Sequence, residues 1–245
     1  MLKLKRCELF GFVFMLMLGV LLLVPSNVHA EVRMHLADGF DFPVGKPDAE
    51  GYYRARGMRL RPPVHFGEDW NGKGGGDSDL GDPIYAIADG VVMFAYDCRG
   101  GWGPCILLRH VYRDPQTKKV KYIDSQYAHL RSIAVKNGDF VKRGQQIGTL
   151  GSNRGMYPAH LHFEMRHNLT IGMKRENVER SLTNWADPSS FIRAHRKLKK
   201  DWLKQSVPTG TCQKETDGAQ HGDNACGDFD FCVEPLPRAQ RRSGG

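Results

Sequence analysis

Two histidines, separated by a single leucine, lie in the apolar segment His160-Leu-His162-Phe-Glu164. Alternate side chains of a β-strand project from the same face, so His160 and His162 share one face while Leu161 and Phe163 point to the other. Two imidazoles on one face of an apolar strand are costly unless a ligand uses them. A zinc ion is the simplest such ligand.

Two further motifs supply the groups that would complete a zinc site, namely His65-Phe-Gly-Glu-Asp69 and Tyr127-Ala-His129-Leu130. A catalytic zinc ion takes three protein ligands and keeps one position open, and both imidazole and carboxylate suit it. The candidate ligands are His65, Asp69 and one histidine of the His160/His162 pair. The two histidines that remain can take a proton or stabilise charge on a reacting carbonyl, which predicts a hydrolase and not a structural metal site.

Composition and charge are those of a globular chain. The 245 residues include 40% hydrophobic and 25% charged residues, with a formal net charge of +8. These values argue against collagen, full disorder and a multi-span membrane protein. The sequence has no Gly-x-Ser-x-Gly, no Walker loop and no His-Glu-x-x-His motif. Nucleic-acid binding is not indicated, and the oligomeric state is left open.

The first thirty residues have the pattern of a secretory signal peptide. Lys3, Lys5 and Arg6 precede an apolar run over 9–24, and Val28-His-Ala30 offers small residues for cleavage before Glu31. The alternative is a membrane anchor, but the run is short for a span. The sequence therefore predicts export to the periplasm or the extracellular space, without stable membrane insertion after residues 1–30 are removed.

Short strands and frequent glycines predict a mainly β fold, with a compact antiparallel body. The Asp89-Gly90 pair between apolar runs predicts a hairpin that joins strands over 84–88 and 91–96. Further strands are predicted over 106–108 and 122–130. The segment 31–62 is turn-rich and is interpreted as a wrapping segment outside the core, followed by a catalytic domain over 63–192.

The C-terminal part is predicted to hold one helix and a loose tail. Asp187-Pro188 is a good helix start, and Phe191, His195, Leu198 and Trp202 recur at helical spacing, so the helix is expected to end near Lys204. Its end, 193–204, carries six Lys and Arg against Asp201. This basic stretch suits an anionic polymer, a membrane surface or a solvated face. The polar tail 205–245 is expected to be flexible.

Export would permit disulfides, and five cysteines follow residue 30. Cys98 and Cys105 flank a turn-forming stretch between two apolar strands, which predicts a bridge across a hairpin. The other three lie in the tail, namely Cys212, Cys226 and Cys232.

The ordered motifs resemble the lysostaphin/LytM-type zinc metallopeptidases, which carry His-x-x-x-Asp, then Tyr-x-His-Leu, then His-Leu-His-Phe-Glu. The resemblance covers about 63–166 and includes the Gly81-Asp-Pro-Ile-Tyr-Ala86 segment and the glycine-spaced segment 138–148. The resemblance implies a compact antiparallel β body with a groove for an extended peptide. It also implies a zinc-dependent endopeptidase that acts on peptidoglycan peptides.

The resemblance also implies a role for each site residue. The zinc ligands would be His65, Asp69 and His162, and the catalytic histidines His129 and His160. Apart from the resemblance, the sequence suggests that Glu164 holds a histidine tautomer, and that Tyr127 either lends a hydroxyl or packs in the core. The alternative function is a non-catalytic module of the same fold that binds the cell wall or activates another hydrolase, although the presence of all five positions argues against it.

Overall fold

The computed structural model describes residues 31–172, 175 and 178–209. The predicted signal peptide, the tail beyond residue 209 and its three cysteines lie outside these residues. The chain divides into two compact units, residues 1–30 and 31–245, and all described elements belong to the second. Among the described residues, no helix is long and apolar enough to cross a membrane.

Strands account for most of the regular structure in the described part of the chain. The strands are β1 Arg33–His35, β2 Tyr52–Arg56, β3 Glu68–Gly72, β4 Pro83–Tyr85, β5 Gly90–Asp97, β6 Pro104–Arg113, β7 Val120–Ala128, β8 Ser132–Ile133, β9 Phe140–Val141, β10 Gln146–Thr149, β11 Leu161–Arg166, β12 Trp185–Ala186 and β13 Lys204–Ser206. A π-helical turn spans Gly45–Ala49, and one α-helix, α1, spans Pro188–Ala194. The predicted mainly β fold with a C-terminal helix is confirmed.

Three antiparallel sheets organise these strands. The largest has the order β2-β3-β11-β7-β6-β5-β9, with β12 also paired to β11. A smaller sheet has the order β4-β10-β8, and β1 pairs with β13. The main core includes Ile84 and Ile147 of the smaller sheet together with Ile106 and Phe163 of the largest, all fully buried. The long hairpin β6–β7 and its neighbour β11 therefore form a rigid platform.

The predicted hairpin at Asp89-Gly90 is wrong, because β4 pairs with β10 while β5 pairs with β6 and β9. Gly90 has another use: a Cβ at this position would lie 2.8 Å from His110 Nδ1, so the glycine permits close packing. Asp89 accepts hydrogen bonds from the Arg143 backbone and the Lys142 side chain. Asp89 thus ties the start of β5 to the segment that follows β9.

The sequence suggested that the segment 31–62 wraps around the core from outside, but part of this segment belongs to the core. Phe40, Phe42 and Val44 are at most 5% exposed and belong to the main core. β2 extends the largest sheet by pairing with β3. The alternating apolar residues of 40–44 suit an extended chain buried on one face, a pattern that the surrounding prolines and glycines obscured.

The C-terminal helix is shorter than predicted. α1 begins as expected, with the Asp187 side chain accepting from Ser190 N, but it ends at Ala194. After it, the Arg196 side chain donates to Asp48 at 2.5 Å and the Leu198 backbone N–H donates to Asp38 O at 2.9 Å. Residues 204–206 form β13, so the tail predicted to start at 205 is structured at its beginning.

The hairpin bridge predicted between Cys98 and Cys105 is not formed. Cys105 carries a free thiol whose Sγ lies 3.4 Å from Gly103 O.

His110 is buried at the junction of the two main sheets. Its ring nitrogens bond to Asp89 O at 2.9 Å and to Ser125 Oγ at 2.7 Å. Burial lowers the pKa of His110 to about 4, against which the Asp89 hydrogen bond is a smaller effect. The imidazole is therefore neutral in the folded protein.

We expect His110 to make stability depend on pH. Because its folded pKa lies below the unfolded value of about 6.5, the unfolded chain takes up the proton first as pH falls. The contribution is fully present above about pH 6.5 and is lost towards pH 4, by about 3 kcal/mol. Urea unfolding of residues 31–245 at several pH values should show that His110→Gln loses less stability on acidification than the parent. Equal losses would contradict this assignment.

Candidate metal centre

The three predicted ligands come from two paired strands and the segment before them. Antiparallel pairing of β3 with β11 places Asp69 directly opposite His162. Side chains of directly paired residues lie on the same face of a sheet, so these two meet. His65 precedes β3 and is held by paired backbone hydrogen bonds with Arg59, of 2.6 and 2.7 Å. The structure therefore brings together His65 and His162, which are 97 positions apart in sequence.

The ligand atoms converge closely. His65 Nε2 lies 3.0 Å from Asp69 Oδ1 and 3.1 Å from His162 Nδ1, and His162 Nδ1 lies 3.0 Å from Asp69 Oδ1. Among the described residues, this is the single His/Cys/Asp/Glu group of three or more whose ligand atoms lie within 4.8 Å of one another. His160 does not belong to this group, although its Nε2 lies 3.8 Å from Asp69 Oδ1. The choice between His160 and His162 thus falls on His162.

Hydrogen bonds outside the cluster fix the tautomers of both histidines. His65 Nδ1 lies 2.9 Å from Gly57 O, and a carbonyl only accepts, so this nitrogen carries the proton. His162 Nε2 likewise donates to Glu164 Oε1 at 2.9 Å. Lone pairs of His65 Nε2, His162 Nδ1 and Asp69 Oδ1 therefore face one another. Such an arrangement is repulsive unless a cation or a shared proton lies between them, so the donor set fits a divalent metal ion.

The electrostatics of the cluster favour a positive charge. Burial raises the pKa of Asp69, but its short contacts with His162 and His65 outweigh burial and hold that pKa well below its usual value. Burial lowers the pKa of His162, but hydrogen bonds to Asp69 and Glu164 leave it raised. Both shifts have the sign expected of a site that binds a cation.

The two other histidines of the motifs lie beside this cluster. The ring centroids of His129 and His160 are 4.9 Å apart, and His129 is 5.5 Å from His162. Nδ1 of His129 lies 3.1 Å from Trp102 O and Nδ1 of His160 lies 2.8 Å from Pro158 O. Because these carbonyls only accept, both histidines carry the proton on Nδ1 and keep Nε2 as a potential proton acceptor.

Burial lowers the pKa of His129 to about 3, and the nearby His162 and His160 contribute smaller effects in the same direction. His129 is therefore neutral at neutral pH, with its Nε2 unprotonated.

A loop between β5 and β6 holds His129 in place, and sequence reasoning missed it. The Trp102 carbonyl accepts from the His129 backbone N–H at 3.0 Å as well as from its ring. This double contact fixes a residue with φ of 65°, a conformation that is uncommon outside glycine. Buried Asn153 donates to Gly100 O at 2.7 Å and so ties the same loop down. A backbone carbonyl leaves no signal in the sequence.

Glu164 occupies the position expected of a residue that orients a ligand. It is fully buried, and besides His162 it accepts from Arg166 Nε at 3.0 Å and Trp185 Nε1 at 3.3 Å. Burial raises its pKa, but the charges of Arg166 and Arg175 outweigh this and hold the pKa below its usual value. Glu164 is therefore a carboxylate.

Arg175 was not identified from the sequence. Its side chain forms an ion pair with Glu164. Its guanidinium lies 4.0 Å from the centre of the Trp102 ring and 4.7 Å from that of Phe66, so it stacks between two aromatic side chains beside the candidate metal cluster.

Tyr127 does not reach the site. It is fully buried in the main core, and its ring centroid lies 5.2 Å from that of Phe163 on the other face of the sheet from His162. Its hydroxyl accepts from Ile87 N at 3.2 Å and lies 3.1 Å from Ser125 Oγ. Of the two interpretations of Tyr127, the geometry supports the structural one.

Gly67 lies between His65 and Asp69, directly before β3 and against β11. A Cβ at this position would lie 2.2 Å from Phe163 O and 2.8 Å from Glu164 Cγ. We expect Gly67→Ala to cost about 1–3 kcal/mol of stability by overpacking and to weaken metal binding, because Asp69 must move with β3. Gly57→Ala is the matched control, since its nearest side-chain atom would lie 3.8 Å away. Thermal unfolding and zinc titration of both variants check this, and equal behaviour would contradict it.

Comparison with known proteins places this geometry in a family. The model of "Peptidase family M23" matches residues 63–174. The "Lipoprotein NlpD" of Yersinia enterocolitica is 37% identical over 87 residues, which are 36% of this chain and 79% of that protein. The "Murein hydrolase activator NlpD" of Salmonella dublin is 35% identical over 105 residues, which are 42% of this chain and 25% of that protein.

Among solved structures, the antimicrobial peptidase lysostaphin from Staphylococcus simulans is 28% identical, with a TM-score of 0.43. The match covers 59% of this chain and 50% of lysostaphin. The chain spans between 15% and 32% of the length of other curated relatives that it matches. The matches to the family model and to the Yersinia protein establish that the chain belongs to peptidase family M23.

Proposed function

We propose that the chain is an exported zinc-dependent endopeptidase that hydrolyses peptide bonds in peptidoglycan stem peptides or cross-bridges, with its metallopeptidase domain over 63–192. One observation carries the proposal: three ligand atoms within 3.1 Å of one another lie beside two histidines that are not ligands. A purely structural metal site would use all of its positions for protein ligands. Membership of family M23 supports a peptide as the substrate.

His65, Asp69 and His162 would hold the zinc ion. When bound, zinc supplies a Lewis acid that polarises a peptide carbonyl and lowers the pKa of water to about 7. Glu164 keeps the His162 ring oriented through its hydrogen bond to Nε2. His65 and His162 are buried, which limits the access of bulk water to their side of the cluster.

His129 and His160 would carry the proton transfers. Each holds its Nδ1 proton against a backbone carbonyl and presents Nε2 as an acceptor. One of them takes a proton from the attacking water, and the resulting imidazolium returns it to the amine that leaves. An imidazolium at this position also stabilises negative charge on the tetrahedral oxygen.

The alternative is a non-catalytic module that binds the cell wall or activates another hydrolase. The observation that favours it is the similarity to the murein hydrolase activator NlpD. The complete ligand set and the two oriented histidines favour catalysis instead, because a module without chemistry has no use for them.

Digestion of purified peptidoglycan decides between the two proposals. Residues 31–245 with one equivalent of zinc should release fragments whose new amino termini, identified by mass spectrometry, show which bond is cut. Chelation of the metal should stop the release. The alternative predicts binding to the same material with no new termini, with or without zinc.

A further inference from the structure

A basic face lies at the end of the β6–β7 hairpin, away from the metal-binding cluster. It combines the turn between these strands with the segment that follows α1. The Arg113 side chain joins the two by donating to Asp201 at 2.6 and 2.8 Å. We define the basic face by its exposed residues, which are Lys118, Lys119, Lys199, Lys200, Trp202 and Lys204.

The lysines of the basic face are not neutralised within the described part of the chain. The two nearby carboxylates are already engaged, Asp201 by Arg113 and Asp114 by Lys121 at 2.6 Å. None of the five lysines forms an ion pair with another described residue. The face therefore carries a net positive charge that is available to a partner.

Trp202 makes this face more than a charged surface. Helical spacing placed Trp202 in the predicted helix, but α1 ends at Ala194 and the Trp202 side chain is 73% exposed. Its ring lies edge-on to His35, at 6.5 Å between centroids, and Lys200 Nζ lies 4.2 Å from its centre. The neighbouring Leu203 is 45% exposed. An indole and an isobutyl group exposed side by side among lysines indicate a surface that is covered by a partner.

We propose that the basic face binds a bilayer surface with anionic headgroups. Lysine ammonium groups reach phosphates while their stems lie along apolar surface, and indole rings favour the headgroup level of a membrane. An anionic cell-wall polymer would use the lysines equally well but offers nothing apolar to Leu203. Isolated ammonium groups also suit a diffuse negative surface, whereas the forked hydrogen bonding of arginine suits individual phosphates.

The position of the basic face determines how far the metal centre would lie from a bound membrane. Arg113 pairs with Val120 at the basic end of the β6–β7 hairpin, whereas Ala128 pairs with His162 at the other. Eight residues of β7 separate these ends, which is about 26 Å at about 3.3 Å per residue. A chain bound through the basic face would hold its metal centre that far from the headgroups. This consequence rests on the proposed function, but the membrane contact does not.

Vesicle flotation with residues 31–245 tests the contact. We expect binding to vesicles of phosphatidylcholine with about 30% phosphatidylglycerol, weakening as salt is raised, and little binding to phosphatidylcholine alone. The double variant Lys199→Gln with Lys200→Gln should weaken binding about 25-fold, because each lysine contributes about fivefold. Trp202→Ala should weaken it about tenfold. Both variants change exposed side chains, so unaltered thermal unfolding would confirm that they fold.

The matched control is Lys73→Gln with Lys136→Gln, which removes the same charge at exposed positions outside the basic face. This control should bind as the parent does. Three outcomes would overturn the proposal: equal binding to neutral and anionic vesicles, equal weakening by the control, or binding to purified cell wall in place of vesicles with the same lysine dependence. Peptidoglycan cleavage by the chain in solution is a separate readout, so either proposal can fail alone.

Discussion

Replacing His129 by alanine is expected to lower kcat for peptide hydrolysis by about 10²–10⁴-fold while the zinc content stays unchanged, because a general base is lost but no ligand. Replacing His65 by alanine is expected to abolish both activity and tight zinc binding, since one of three ligands is removed. The geometry separates the two histidines: His65 Nε2 lies within 3.1 Å of both other ligand atoms, whereas the His129 ring is turned towards Trp102 O.

Zinc content by atomic absorption and initial rates on a peptidoglycan peptide measure the two effects separately. The control is His167→Ala, an exposed histidine outside the motifs, which should retain zinc and rate. Equal zinc retention by the His65 and His129 variants would contradict the division of roles, as would a fully active His129 variant.

Replacing Glu164 by alanine should have the largest effect on stability. Its carboxylate is fully buried and faces Arg166, which is 1% exposed, so its removal leaves a buried guanidinium without its charge partner. Such a loss costs about 3–5 kcal/mol. The His162 ring also loses the acceptor that fixes its tautomer, which should weaken zinc binding about 10–100-fold.

Urea unfolding in the presence of a chelator isolates the effect on stability from that on metal binding. The control is Glu179→Ala, which removes an exposed carboxylate and should change stability by less than about 0.5 kcal/mol. Glu164→Gln keeps the shape and an acceptor, so it should recover part of the zinc affinity. Unaltered stability of the alanine variant would show that Arg166 is satisfied by its bonds to Gln126 and Gly172 alone.

Side-chain chemistry and the alternation of side chains along a strand were enough to predict the main residues of the candidate site. The alternation of His160 and His162 predicted a shared face of one strand. In the structure β11 begins at Leu161, His162 belongs to the cluster, and His160 lies beside it. Spacing alone left the third ligand open between them. The choice depends on which residue of β11 pairs with Asp69, and that register is set by tertiary packing.

The parts of the site that the sequence did not reveal act through the backbone or across long separations. The Trp102 carbonyl orients His129, and carbonyls are common to every residue. Arg175 meets Glu164 from 11 residues further along the chain, a contact that no local pattern predicts.

The errors in the fold have related causes. Asp89-Gly90 matched a hairpin turn, yet β4 pairs with β10, about sixty residues further along the chain. Helical spacing predicted a helix that ends near Lys204, whereas α1 ends at Ala194. The ion pair of Arg113 with Asp201 and the pairing of β13 with β1 hold the residues that follow in a non-helical arrangement. In each case, long-range contacts overrode a local preference.

Anomalous diffraction at the zinc absorption edge, from crystals of residues 31–245 grown with zinc, tests the central claim most directly. We predict one peak, about 2.0–2.2 Å from His65 Nε2, Asp69 Oδ1 and His162 Nδ1, with no fourth protein ligand. A peak elsewhere, or one at this position that is also coordinated by His129 or His160, would contradict a catalytic centre of three ligands and two free histidines.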